Sequence, residues 1–101
     1  MKKTVFILAA VTLGFALPVH AKGNYEAGKA KSAACAACHG ADGVSSVPSF
    51  PKLAGQNRDY LYHSLKDYKW GQRANPTMAG QVQTLSDSDM LVLAMYFSKQ
   101  K

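Results

Sequence analysis

The chain has 101 residues, and its 12 lysines and arginines outnumber 6 acidic residues, which gives a formal net charge of +6. A chain of this length forms one domain at most, and its small core usually needs a covalent or metal cross-link for stability. The basic residues are spread along the chain and do not alternate with aromatic residues. The sequence therefore lacks the basic platform that is typical of nucleic-acid binding.

Residues 1–21 have the layout of a secretory signal peptide. A basic start precedes an almost wholly apolar stretch over 5–17, and Val19 and Ala21 lie where a signal peptidase requires small residues. The apolar stretch is shorter than the roughly 20 residues of a membrane-spanning helix, so cleavage after Ala21 is favoured over a retained anchor. We predict an exported protein whose mature domain spans 22–101 and keeps a net charge of +4 after loss of two lysines.

Three helical patterns and no convincing strand follow. Asn24 can cap a first helix, which runs through several alanines towards Cys35. Asn57 can cap a second helix, whose apolar residues lie near helical spacing, and Gly71 marks the end of that helix. The chain is thus predicted to be all-α.

A third helix completes this pattern and leaves two long loops. Ser86 and Asp89 form a capping box, and an apolar helix side follows over residues 90–97. The segments 40–56 and 72–84 are predicted to be irregular. Two such loops are hard to justify by protein packing alone in so short a domain, so we expect another group to fill the space between them.

The cysteines indicate what that group is. Cys35, Cys38 and His39 form the Cys-x-x-Cys-His pattern of covalent c-type haem attachment. Two thiols three positions apart can add to the two vinyl groups on one porphyrin edge, and the following histidine can bind iron through its outer ring nitrogen. The chain contains two cysteines, and both are used.

Two other uses of these residues stay open. A disulfide or thioredoxin-like redox pair suits an oxidising compartment, but that motif belongs near a βαβ pattern. A zinc site needs two more ligands at suitable spacing, whereas His63 stands alone once His20 leaves with the signal peptide. Haem attachment is the favoured interpretation.

The second axial ligand of the iron has four candidates: His63, Met78, Met90 and Met95. Met90 and Met95 fall in the third helical pattern, where methionine more often fills the core. His63 lies in the second pattern, where a surface position is more common. Met78 is the favoured candidate for the second axial ligand, because it follows Pro76 in a predicted loop and precedes two small residues that would let the backbone approach a flat ring. A histidine and methionine pair raises the reduction potential and leaves no open iron position, which indicates a carrier and not a catalyst.

Together these residues make the mature chain similar to the class I cytochromes c, in particular the short soluble monohaem carriers of Gram-negative periplasms. The resemblance rests on Gly28 before the haem motif, on segment 51–56, on the Met78 loop, and on Tyr96 and Phe97 near the chain's end. It implies a small class I cytochrome c fold, in which three main helices wrap around one haem c. The first and last helices would cross at right angles, with Gly28 against Tyr96 or Phe97.

The resemblance also implies roles for residues around the haem. The Pro51 carbonyl would accept a hydrogen bond from the His39 imidazole and so fix the orientation of that ring. Leu53 would pack on the haem face. Three residues are possible partners of the haem propionates, although surface charge and a core tryptophan would explain them equally well: Arg58, Trp70 and Arg73.

The function implied is that of a periplasmic electron carrier and not of an enzyme. Its expected partners are acidic-surfaced redox proteins, namely a membrane quinol–cytochrome reductase and a terminal oxidase or periplasmic reductase, with no nucleic acid and no stable membrane insertion after signal cleavage. One haem motif excludes an exact match to the two-haem members, and we expect a monomer or weak dimer. The alternatives are a haem enzyme or gas sensor with an open iron position, and a thiol–disulfide protein without haem.

Overall fold

The computed structural model describes residues 19–101, in which five helices are joined by loops and no strand occurs. The helices are α1 (Val19–Lys31), α2 (Ala33–His39), α3 (Arg58–Trp70), α4 (Pro76–Val82) and α5 (Asp87–Ser98). None of them is long and apolar enough to cross a membrane. The predicted all-α class is confirmed, while the predicted signal peptide falls outside the described residues except for its last three.

The first predicted helix is in fact two helices. Ser32 separates α1 from α2, because its hydroxyl donates to the Lys29 carbonyl at 2.7 Å and competes with the regular helical bonding. The prediction that Asn24 caps this helix was wrong, since Asn24 lies inside α1. No proline interrupts residues 19–23, so the helical backbone continues past Asn24 towards the N-terminus.

Helix α3 has the two ends that its sequence predicts. The Asn57 side chain accepts a hydrogen bond from the Tyr60 backbone N–H at 3.0 Å, which satisfies one of the free donors of the first turn. Gly71 ends the helix with φ of 84°, a left-handed conformation that glycine adopts at little cost. Both predictions are confirmed.

Helix α4 lies where the sequence predicted a loop. Asn75 caps it by accepting from the Met78 backbone N–H at 3.0 Å, and Pro76 occupies the first helical turn, where its missing N–H costs nothing. Val82 buries the end of the helix in the core. Met78 therefore lies in the first turn of a helix, and its placement in a loop was wrong.

Helix α5 forms the centre of the core. Its predicted capping box is present: Ser86 Oγ accepts from the Asp89 N–H, and the Ser86 N–H donates to Asp89 Oδ2, both at 3.0 Å. Five buried residues make up the main cluster: Leu61 from α3, and Leu93, Ala94, Tyr96 and Phe97 from α5. The helix can be apolar on most sides because α1 and α3 both pack against it.

The contact between α1 and α5 depends on Gly28. A Cβ atom on this residue would lie 2.0 Å from the Val92 carbonyl oxygen and 2.8 Å from Tyr96 Cβ. The two backbones can approach this closely only because Gly28 has no side chain. The expected contact with Tyr96 is confirmed, and the Tyr96 hydroxyl extends the packing by donating to the Ala41 carbonyl at 2.9 Å.

Candidate haem-binding site

A cavity of about 650 Å³ lies among α2, the 40–56 loop, α3, α4 and α5. Helix α2 contributes Cys35, Cys38 and His39 to its lining. Residues three apart on a helix lie on the same face, so both thiols face one side of the cavity. Cys35 is half-buried, Cys38 is exposed, and the two are not joined as a disulfide.

The environment of Cys35 does not favour thiol redox chemistry. Burial, and to a smaller extent the neighbouring Cys38, raises the pKa of the Cys35 thiol. A redox-active cysteine of the thioredoxin type needs the opposite shift, because the thiolate is the nucleophile. The raised pKa of Cys35 therefore gives no support to thiol–disulfide exchange at this residue.

His39 is held in one orientation. The residue is buried, with 8% of its surface exposed, and Nδ1 lies 2.8 Å from the Pro51 carbonyl oxygen. A carbonyl can only accept, so Nδ1 carries the proton and Nε2 keeps a lone pair that can bind a metal. The hydrogen bond expected between His39 and Pro51 is thus present.

The 40–56 loop brings Pro51 to this position. The Gly43 carbonyl accepts from the backbone N–H groups of Leu53 and Ala54, at 2.8 and 3.1 Å, and closes the loop on itself. The Gly55 N–H donates to the Phe97 carbonyl at 3.0 Å, which fastens the loop to α5. The same arrangement brings Leu53 into the cavity lining.

Much of the cavity lining is apolar, as a porphyrin face requires. Nine apolar residues of this lining come from the 40–56 loop, from α3, α4 and α5, and from the segment between α4 and α5: Phe50, Leu53, Leu61, Leu65, Val82, Leu85, Leu93, Ala94 and Phe97. Burying a flat apolar group against them would release a large area from water. With two free thiols and one oriented imidazole beside this lining, the residues fit a covalently bound haem.

Met78 is placed to supply a second ligand. It is half-buried and lines the cavity from α4. The other three candidates do not line it: Met90 is buried elsewhere in α5, Met95 lies at a shallow surface pocket, and His63 is exposed on α3. Of the four candidates, Met78 alone shares the cavity with His39.

Of the three residues expected as possible partners of the haem propionates, one lines the cavity and two do not. Arg73 lines the cavity, where its guanidinium lies 4.7 Å from the centre of the Tyr68 ring and 3.4 Å from Ser64 Oγ. Trp70 is 65% exposed, and neither it nor Arg58 lines the cavity. Trp70 is therefore neither part of the core nor placed by the structure at the haem site.

One row of cavity residues was missed from the sequence. Tyr60, Ser64 and Tyr68 all line the cavity from α3. They lie four residues apart and so share one helix face. This spacing was visible in the sequence, but nothing in it showed that the side of α3 that carries these three residues borders the cavity.

Comparison with known proteins places the chain in a family. A family model described as cytochrome c matches residues 25–101. Cytochrome c4 of Pseudomonas aeruginosa is 50% identical over 91 residues, covering 90% of this chain and 45% of that protein. Cytochrome c-554(548) of Halomonas halodenitrificans is 42% identical, covering 78% of this chain and 99% of that protein.

A solved structure agrees with these matches. The crystal structure of reduced recombinant cytochrome c4 from Pseudomonas stutzeri superimposes with a TM-score of 0.73 and 46% identity, covering 76% of this chain and 45% of that one. The chain thus spans about half the length of the cytochromes c4 that it matches. It belongs to the cytochrome c family, which implies a covalently bound haem c with its iron.

Proposed function

We propose that this protein is a periplasmic electron carrier with a single haem c, attached through Cys35 and Cys38 and bound axially by His39 and Met78. One observation carries the proposal: the two thiols, the oriented imidazole and the thioether line the same largely apolar cavity. The cytochromes c4 that the chain resembles are electron-transfer proteins.

The haem, when bound, supplies an iron that cycles between its ferrous and ferric states. The residues of the chain keep the surroundings of that iron constant. Pro51 holds the His39 ring, and α4 holds Met78 in the cavity lining. A thioether ligand favours the ferrous state and so raises the reduction potential, and the apolar lining adds to this by disfavouring the extra charge of the ferric state.

One of the two attachment points of the haem is exposed, which provides a route for electron transfer to and from a partner. Cys38 is exposed while Cys35 is half-buried, so a group joined to both thiols is reachable from solvent on the Cys38 side. Apolar side chains are exposed in the adjoining loop, among them Val44, Val47 and Phe50. A partner can therefore approach this side closely enough for electron exchange.

The charge of the chain supports brief encounters with acidic partners. After loss of the signal peptide the domain keeps a net charge of +4, which steers acidic proteins towards it and raises the rate of encounter more than the affinity. From the resemblance to the class I cytochromes c we propose a membrane quinol–cytochrome reductase as the electron donor and a terminal oxidase or periplasmic reductase as the acceptor. Export by residues 1–21 would bring the chain to the periplasm where these partners act.

Absorption spectra of the exported, matured protein test the ligand set. Ferric iron bound by a thioether has a weak long-wavelength band, and we expect this band in the wild type. Met78→Ala should abolish it, whereas Met95→Ala, which removes a thioether outside the cavity, should leave it unchanged. A haem spectrum without the band would exclude Met78 and favour a sensor or enzyme with an open iron position. A colourless protein of unmodified mass would exclude haem attachment altogether.

A further inference from the structure

Lys69 joins the end of α3 to the segment between α4 and α5. Its ammonium donates to the Leu85 carbonyl, and its own backbone carbonyl accepts from Gln83 Nε2 at 3.4 Å. The side chain is half-buried, and Nζ also lies 5.2 Å from the centre of the Trp70 ring. Both the backbone and the side chain of this residue therefore hold the segment that follows α4.

Helix α4 depends on such anchors. It has seven residues, well below the roughly 12–15 that an isolated helix needs to be even marginally stable in water. Asn75 caps its beginning, and buried Val82 ends it, with the Leu85 N–H donating to the Val82 carbonyl at 3.0 Å. Lys69 fixes this far end through Leu85, and Met78 lies between the two anchors.

The hydrogen bond from the Lys69 ammonium to the Leu85 carbonyl resists separation of α4 from α3. A charged donor makes a stronger hydrogen bond than a neutral one, and the Leu85 carbonyl would lose this partner if α4 moved away from α3. Movement of α4 away from α3 would carry Met78 away from the iron and so favour its displacement by another ligand. The bonds of Lys69 therefore oppose that displacement.

We propose that Lys69 is a positioning residue for Met78, and that its bonds to residues 83 and 85 strengthen the coordination of the iron by the thioether. This inference rests on the proposed function, in which Met78 is an axial ligand. Lys69 acts on Met78 only through the placement of α4.

Imidazole binding to the ferric holoprotein measures the effect, because imidazole competes with Met78 for the iron. In Lys69→Met we expect the imidazole Kd to fall about tenfold or more, the factor that corresponds to the loss of one hydrogen bond from a charged donor. Lys66→Met is the matched control. It removes the same charge one turn earlier on α3, where the ammonium faces the Tyr62 ring at 4.6 Å, and its imidazole Kd should stay within twofold of the wild type.

The outcomes separate this proposal from the ligand assignment. An unchanged imidazole Kd in Lys69→Met, even with a lowered melting temperature, would overturn the positioning role. An equal fall in both lysine variants would also overturn it, because the cause would then be charge alone. If Lys69→Met yields no holoprotein, exposed Gln83→Ala should lower the Kd about twofold, and no change there would refute the proposal. Absence of the thioether band from the wild type would instead refute the ligation by Met78.

Discussion

Substitution of Gly28 by alanine tests the packing on which the haem cavity depends. The added Cβ would lie 2.0 Å from the Val92 carbonyl oxygen, more than 1 Å inside ordinary contact, and 2.8 Å from Tyr96 Cβ. The obstacles are a backbone atom and the first atom of a side chain, so no rotamer change can remove them. Helices α1 and α5 would have to move apart along their contact.

The size of the effect follows from two opposing terms. Overpacking of this kind costs about 3 kcal/mol, at the upper end of the usual range, while alanine gains about 1 kcal/mol over glycine in helix propensity. A net loss of about 2 kcal/mol would lower the melting temperature of a domain this small by roughly 8–16 °C.

Gly80→Ala is the matched control for this experiment. Gly80 also lies inside a helix, α4, but nothing lies within 4 Å of its added Cβ. We expect this variant to be neutral or more stable by up to about 1 kcal/mol. Denaturant unfolding of both holoproteins, followed by the haem absorption and by far-UV circular dichroism, gives the two values. The reasoning would be refuted if Gly28→Ala were as stable as the wild type or as Gly80→Ala.

Two further predictions concern helix ends. The Ser86 N–H and the Lys31 ammonium, which lies 3.1 Å from the Asp89 carboxylate, hold the pKa of Asp89 below its usual range. The ionised Asp89 side chain therefore stabilises the fold above its unfolded-state pKa. This stabilisation is lost as the pH falls through the lower pKa that Asp89 has in the folded state. Asp89→Asn should therefore melt below the wild type at pH 7, with the difference vanishing in acid; a difference that persists in strong acid would contradict this. Asn75→Ala removes the cap of α4 and should cost about 1 kcal/mol in denaturant unfolding and weaken the thioether band, whereas Asn75→Asp should preserve both.

Features that depend on local sequence could be predicted. The caps at Asn57 and at Ser86 and Asp89 involve residues three apart, so the sequence pattern that predicts each of them lies within a single helical turn. Asn75 and Pro76 carry an equally local signal for α4, but seven residues with glycine and proline among them gave no helical periodicity. The contact of Gly28 with Tyr96 is not local and could be expected only from the resemblance to a family.

Features that depend on the direction of a helix could not be predicted. Trp70 and Arg73 lie on either side of the left-handed turn at Gly71, and that turn brings only Arg73 to the cavity. Ser32 breaks the first predicted helix through a side-chain bond that serine makes in some helices and not in others. The residues next to Trp70, Arg73 and Ser32 in the sequence do not by themselves determine where these side chains lie or whether the helix breaks.

The most direct test of the carrier function is the response of the ferrous holoprotein to carbon monoxide at neutral pH. If Met78 and His39 both bind the iron, no coordination position is open to carbon monoxide. We therefore predict that the ferrous spectrum stays unchanged when carbon monoxide is added. The same protein should still undergo reversible one-electron oxidation and reduction. Prompt formation of a carbon monoxide complex by the wild type would show an open iron position. That result would contradict the carrier account and favour a gas sensor or an enzyme.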